Sequence, residues 1–405
     1  FASPPRQSAN GRVGADLGWM ASSEPAPEFH IVGDAVMDVL AVGLSGLPAW
    51  GGDTTADSIE CHPGGSALNT AVHVASLLRS SGSVASVSFH GSVGEDLFAS
   101  LLERQLESQG IKAHLARVDA CATSTCVMMS GGCRGDGSGG SGGCTYITCA
   151  GAAKRFSSEH LSPLVEAMRR GLVQDAATPA PRRVHVHFGG FYSYGPLRHE
   201  LATLLPRLRK AAGESGGPVR LTFSVDTNAA EPGQLEGLGQ DVLDQLDLFK
   251  GTRTEVEMLS GTKGLDEALE ELTRGRGCAV VATDGARGAR FRSGGASDGA
   301  APGGFAATNG DPPLGTCPTC RVEVKDCTGA GDAFCAGLLV ALVATSASLQ
   351  DSTLFACAAG AANCMSVGGC TVPLGIESVR ALLEAQGQPL PPSLGSFLQR
   401  HCCDA

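Results

Sequence analysis

The sequence predicts an α/β fold: a mainly parallel sheet covered by helices on both faces, three layers in all. Short apolar runs alternate with helix-periodic stretches from Phe29 to Ala385. Several of these runs end in Gly or Asp, as buried strands do when they deliver a functional group at their carboxyl end. With 405 residues, 42% of them hydrophobic, the chain can bury a large core and needs no staple.

Composition excludes several classes. Basic residues number 30 against 41 acidic, a net charge of −11, which argues against nucleic acid and anionic membrane surfaces as partners. No apolar run reaches the roughly 18–20 residues of a membrane span. Ala333 to Ala344 instead reads as a buried helix. The 16 cysteines are scattered, and Cys335, Cys357 and Cys364 sit in apolar runs. Reduced thiols in a cytoplasmic setting are expected, with organellar targeting left open. Cys317-Pro-Thr-Cys320 lacks the second pair that a zinc site needs and reads as structural.

Residues 1–28 are rich in Ser, Pro, Gly and Ala and are expected to be a flexible extension. Phe29 to Asp34 reads as a strand. Pro63-Gly64-Gly65-Ser66 opens a helix over Ala67–Leu78, and Ser83–Phe89 follows as a strand. In Asp96–Gln109 the apolar Leu97, Phe98, Leu101, Leu102 and Leu106 share one helical face. Thr123–Met129 and Cys144–Thr148 read as a hairpin around a low-complexity loop, 131–143. Strands are then expected at Val184–Phe188, Val219–Val225, Leu248–Phe249, Cys278–Thr283 and Ala289–Arg292. Helices fall between them at Arg198–Ala212, Gln240–Leu246, Glu255–Leu259 and Leu265–Arg274. A second low-complexity loop, 294–319, precedes a short strand at Val322–Val324. Helices over Ala333–Thr345, Leu354–Ser366 and Ile376–Ala385 and a tail over 391–405 complete the chain.

In such a fold ligands bind outside the carboxyl ends of the strands. Asp34, Asp38, Gly64, Gly65, Asp226, Thr283 and Asp326 all fall there. The strongest motif is Asp326-Cys327-Thr328-Gly329-Ala330-Gly331-Asp332, placed just before a long apolar helix. Its small residues let the backbone approach a ligand, and the first helical amides point outward with the positive end of the dipole. Asp332 sets a carboxylate base beside that anion hole, a pairing suited to phosphoryl transfer. A Gly-rich turn capped by Asp is the plainer reading.

Gly64-Gly65-x-x-x-Asn69 permits close contact with a polyhydroxyl ligand, or else is a tight turn. Gly91-x-x-Gly94-x-Asp96 is explained by turn chemistry. Thr283-Asp284-Gly285-x-x-Gly288 can lie against a nucleotide or simply join two strands. In Thr252-x-x-Glu255 the acid either holds a metal-bound water or sits at a helix start.

In order and spacing these features resemble the PfkB family of carbohydrate kinases, with its ribokinase-like fold, from about Phe29 to Ala385. Residues 326–332 are similar to the family's D-T-x-G-A-G-D signature. The resemblance implies a kinase domain over 29–390 that phosphorylates a hydroxymethyl group of a small sugar with ATP and Mg²⁺. Asp332 would be the base, and Gly329, Ala330 and Gly331 the anion hole. Asp38, Gly64, Gly65 and Asn69 would hold the sugar. Thr283, Gly285, Gly288 and Thr252 would line the ATP site, and Glu255 would hold Mg²⁺ through water. Asp326 and Thr328 would bind a monovalent cation such as K⁺. A small β-sheet lid over the substrate is implied, built from about 50–62 and 121–149, and lids of this kind pair two subunits. A nucleoside kinase of the same fold and a non-catalytic binding protein are the alternatives.

The chain departs from the family pattern in places. Thr252 replaces Asn in N-x-x-E, which weakens the metal assignment. Cys327 replaces Thr and brings a thiol to the phosphoryl pocket. Val36, Ser66 and Gly189-Gly190 point away from ribose. There is no G-x-x-x-x-G-K-S/T, which argues against a P-loop enzyme. His185 and His187 alternate on one strand and read as satisfied core histidines rather than metal ligands.

Overall fold

The computed structural model describes residues 25–44, 46–131, 144–170, 181–228, 238–295, 305, 313–388 and 392–398. The expectations for residues 1–24, for 132–143, for most of 294–319 and for the last residues of the tail lie outside them.

In chain order the elements are β1 (Glu28–Gly33), β2 (Val36–Leu44), β3 (Ser58–Gly64), α1 (Ser66–Ser80), β4 (Ser86–Val93), α2 (Leu97–Ser108), β5 (Lys112–Arg117), β6 (Ser124–Gly131) and β7 (Cys144–Cys149). Next come α3 (Ser162–Arg169), β8 (Arg182–Gly189), α4 (Leu197–Gly213), β9 (Val219–Asp226), α5 (Gln240–Leu243), β10 (Leu248–Thr252), α6 (Arg253–Ser260), α7 (Leu265–Thr273), β11 (Ala279–Thr283) and β12 (Ala289–Arg292). β13 (Leu314–Cys317), α8 (Ala330–Leu339), α9 (Leu349–Asn363), α10 (Ile376–Ala385) and α11 (Pro392–Leu398) close the list.

The main sheet runs β13-β12-β11-β10-β9-β8-β1-β4-β5. From β5 to β11 its neighbours are parallel, and β12 and β13 are antiparallel additions at one edge. Alternate side chains feed two cores. Phe29, Ile31 and Phe89 pack under α1, α2 and α8–α11, while Val32, Phe188, Phe223 and Phe249 pack under α3–α7. Each fully buried Leu, Ile or Phe contributes about 1.5–3 kcal/mol, which is why strands buried on both faces read as nearly continuous apolar runs. Small residues let α8 and α9 pack closely: a Cβ on Gly337 would lie 2.9 Å from Ala359 Cβ.

A second sheet, β3-β2-β6-β7, stands apart from the first. β6 and β7 are the expected antiparallel hairpin. β2 was not expected as a strand: its Gly and Asp interrupt the alternation, and only pairing with β3 and β6 extends it.

Three further expectations change. Val322–Val324 is not a strand; β13 completes the edge instead, from within the segment expected to be a loop. The helix expected over Ala333–Thr345 starts at Ala330 and passes into a π-helical stretch, Val340–Ala344. Within the expected tail, α11 sends Leu394 and Phe397 into the core.

Candidate active site

The parallel strands bring their carboxyl ends to one edge. Gly33 of β1 stands beside Gly189 of β8, and Asp34 follows directly. Asp226 ends β9 and pairs in register with Lys250 of β10. Thr252 and Thr283, both expected to face ATP, end β10 and β11 side by side.

Two helix starts meet at this edge. α1 begins after Gly65, which has φ 98° and supplies no side-chain cap. Asp34 fills that role, accepting from the amides of Ser66 (3.2 Å) and Ala67 (2.9 Å). Its carboxylate is therefore spent on positioning α1. α8 begins after Gly329, whose φ of 73° suits glycine and which also has no side-chain cap. A Cβ there would lie 2.5 Å from Gly369 Cα, so the turn fits against that backbone only without a side chain. The Ala330 amide closes a turn on the Cys327 carbonyl (3.2 Å), and Ala333 opens the intrahelical ladder on Gly329 (2.8 Å). By helix geometry the amides of Gly331 and Asp332 have no intrahelical acceptor. Residues 329–332 are half-buried rather than packed shut.

Asp332 lies in the first turn of α8, where a carboxylate is favoured by the dipole. Its side chain crosses to α1: Oδ1 accepts from Ser66 Oγ (2.8 Å) and Oδ2 from Asn69 Nδ2 (2.9 Å). The first and last motifs of the chain thus form one constellation. Burial, and then the Asp226 charge, push the Asp332 pKa up to about 7; Asn69, Ser66 and Lys250 act the other way. A base with that ionisation is matched to neutral pH.

Lys250 and Asp226 were not expected as a pair. The Lys250 ammonium donates to Asp226 Oδ2 (3.0 Å), both buried, and sits 3.3 Å from where a Gly331 Cβ would stand. A cation therefore lies under the start of α8. Nothing in the order of residues signals this, because the pairing depends on strand register. Ser66, absent from the expected site residues, was likewise hidden by its small size.

The other expected site residues are placed as follows. Asp38 on β2 points at Gly64 so closely that a Cβ there would clash. Burial and the nearby Asp34 raise its pKa to about 7. Glu255 closes a reciprocal cap on α6: Thr252 Oγ1 accepts from the Glu255 amide (3.3 Å), and Glu255 Oε2 accepts from the Thr252 amide (2.6 Å). Its other oxygen, Oε1, is buried without a partner, as are Thr227 Oγ1, Tyr192 OH and Tyr194 OH. Buried polar atoms are seldom left so, and unpaired ones gathered at this edge suit a polar ligand. Thr283 donates to the Gly251 carbonyl (3.4 Å). Gly285 is exposed in the following turn, while Gly288 packs against the Cys317 carbonyl of β13.

Asp326 and Thr328 hold each other. Asp326 Oδ1 accepts from the Thr328 amide (2.9 Å) and hydroxyl (2.8 Å), Oδ2 accepts from the Gly368 amide (2.8 Å), and Asn363 donates to the Thr328 carbonyl (2.8 Å). These bonds hold the Asp326 carboxylate and the Thr328 carbonyl in fixed positions.

The remaining motifs are structural. Asp96 caps α2 and accepts from Thr123. His185 and His187 are buried and bonded to Thr222 and Ser224. Cys317 and Cys320 are buried, and no group of three metal-ligating side chains occurs among the described residues. Nor is any described helix long and apolar enough to cross a membrane.

The family model for pfkB carbohydrate kinases matches residues 28–374. The chain belongs to the pfkB family of carbohydrate kinases. That places it among ATP-dependent carbohydrate kinases. An uncharacterized sugar kinase of Dictyostelium discoideum is 48% identical over 62 residues, covering 15% of this chain and 18% of that protein. A fructokinase of Klebsiella pneumoniae is 24% identical over 319 residues, 78% of this chain and 85% of the relative. Arabidopsis thaliana ribokinase, solved with ribose and ATP, shares the fold with a TM-score of 0.64 and 21% identity, covering 89% of this chain and 99% of that one.

Proposed function

We propose that this pfkB-family protein transfers the terminal phosphoryl group of ATP to a hydroxymethyl group of a small sugar, with Asp332 as base. The observation that carries this reading is the Asp332 carboxylate at the start of α8, pinned by Ser66 and Asn69 beside free helix amides. The hydroxyl gives its proton to Asp332 as it attacks, and the amides of Gly329, Gly331 and Asp332 hold the developing phosphoryl charge. Asp38 and the backbone of Gly64 and Gly65 would contact the sugar hydroxyls. Thr252, Thr283, Gly285 and Gly288 would border the nucleotide, and the smaller sheet would act as a lid that excludes water.

The unpartnered Glu255 Oε1 fits a magnesium-bound water, and Mg²⁺ there would neutralise phosphate charge. Asp326 and Thr328 would hold a monovalent cation such as K⁺, since oxygens that accept one hydrogen bond keep a further lone pair for it.

ADP release in the presence of a sugar panel tests the proposal. Turnover with a hexose or pentose, abolished in Asp332→Asn, is expected. Full activity of that variant would refute the mechanism. Turnover of nucleosides alone would favour a nucleoside kinase, and tight binding without ADP a non-catalytic protein.

A further inference from the structure

Cys327 sits inside the signature turn and is exposed, while Cys364 follows the last residue of α9 and is half-buried. Burial, and then the neighbouring Cys327, push the Cys364 thiol up to about 11. The chain on either side is laced together. The amides of Lys325 (2.8 Å) and Asp326 (3.3 Å) both donate to the Cys364 carbonyl, and Asn363 Nδ2 donates to the Thr328 carbonyl (2.8 Å). A disulfide needs two β-carbons held close without backbone movement, and these bonds hold the flanking backbones in register.

We propose that Cys327 and Cys364 are a thiol-modification site that takes low-molecular-weight disulfides and closes into an internal disulfide. The Cys327 thiolate attacks one sulfur of the small disulfide, forming a mixed disulfide and expelling one thiolate. Cys364 then loses its proton and attacks the Cys327 sulfur, expelling the second thiol. The small disulfide is reduced to two thiols, and the protein loses two hydrogens. The bridge ties the turn before Gly329 to the end of α9. Because the amides of α8 must be placed to within an ångström of the phosphate, closing it lowers phosphoryl transfer. That last consequence rests on the kinase reading above; the bridge itself does not.

The test treats the full reduced chain with oxidised glutathione, maps the peptides by mass and measures ADP release. In the wild type a cross-linked peptide pair carrying Cys327 and Cys364 is expected. ADP release should fall about tenfold or more, and dithiothreitol should restore it. Cys364→Ser should keep full activity when reduced and stop at a stable glutathione adduct on Cys327. Cys327→Ser should form neither species at this site, even though the exposed Cys61 and Cys149 still react. Absence of the Cys327–Cys364 cross-link overturns the site, and a cross-link that leaves ADP release unchanged overturns the clamp. If the reduced wild type releases no ADP with any sugar, it is the kinase reading that has failed, while the peptide map still decides the bridge.

Discussion

Helices α6 and α8 both start at the carboxyl edge of the main sheet, and they start in opposite ways. α6 is closed by its own residues, with Thr252 and Glu255 satisfying one another's backbone. α8 starts on a left-handed glycine with no side-chain cap, and its first-turn acid turns away to Ser66 and Asn69 on another helix. A helix start that consumes its own amides is a structural joint; one that leaves them open while a neighbouring helix positions a carboxylate is a site for an anion and a proton.

The sharpest way to break this contrast is Asp332→Asn, which keeps the shape but removes the base. Turnover should fall roughly 10²–10⁴-fold in an ADP-release assay. In the wild type the rate should climb with pH through about 7, because Asp332 must be ionised to accept a proton. Gly329→Ala comes next: it meets both a clash with Gly369 and a left-handed φ. It should cost about 1–2 kcal/mol of stability and about a hundredfold in rate, read by melting temperature and kcat.

Lys250→Met tests the cation beneath α8. It leaves Asp226 buried and unpaired, at a cost of roughly 3–5 kcal/mol. It should also move the acid limb of the rate profile to higher pH, since Lys250 holds the Asp332 pKa down and Asp226 holds it up. Adding Asp226→Asn should bring the limb back; an unmoved limb in both variants would disconnect the ion pair from the base. Thr252→Ala should cost only about 1 kcal/mol, as loss of a cap does, and should raise the KM for ATP more than it lowers kcat.

The smallest effect concerns stability against pH. Asp34, Asp38 and Asp332 have folded pKa values raised from 3.8 to about 6, 7 and 7. Between about pH 4 and 7 the folded chain therefore keeps protons that the unfolded chain has released, so their contribution to stability falls as pH rises. Buried His30 and His73, lowered from 6.5 to about 4, act in the reverse sense as pH falls. Asp38→Asn isolates one of these groups: its melting temperature, relative to wild type, should improve as pH rises from 5 to about 8. A constant difference would show that Asp38 ionises normally.

Local chemistry alone determined much of this protein. The period of apolar residues marked the strands buried on both faces and the helices over them, because burial on a strand or helix leaves a pattern within a few residues. The glycines and acid of residues 326–332 announced an open helix start for the same reason. Tertiary structure decided what lies opposite each group. It brought Asn69 and Ser66 to Asp332, set Lys250 under Gly331, spent Asp34 on the amides of α1, and turned Glu255 and Asp326 partly toward their own backbone. It also extended β2 and β13, whose residues carry too little alternation to act without partners. Strand register and helix crossing join residues hundreds of positions apart, and hydrogen bonds at that range leave no trace in the local pattern of the chain.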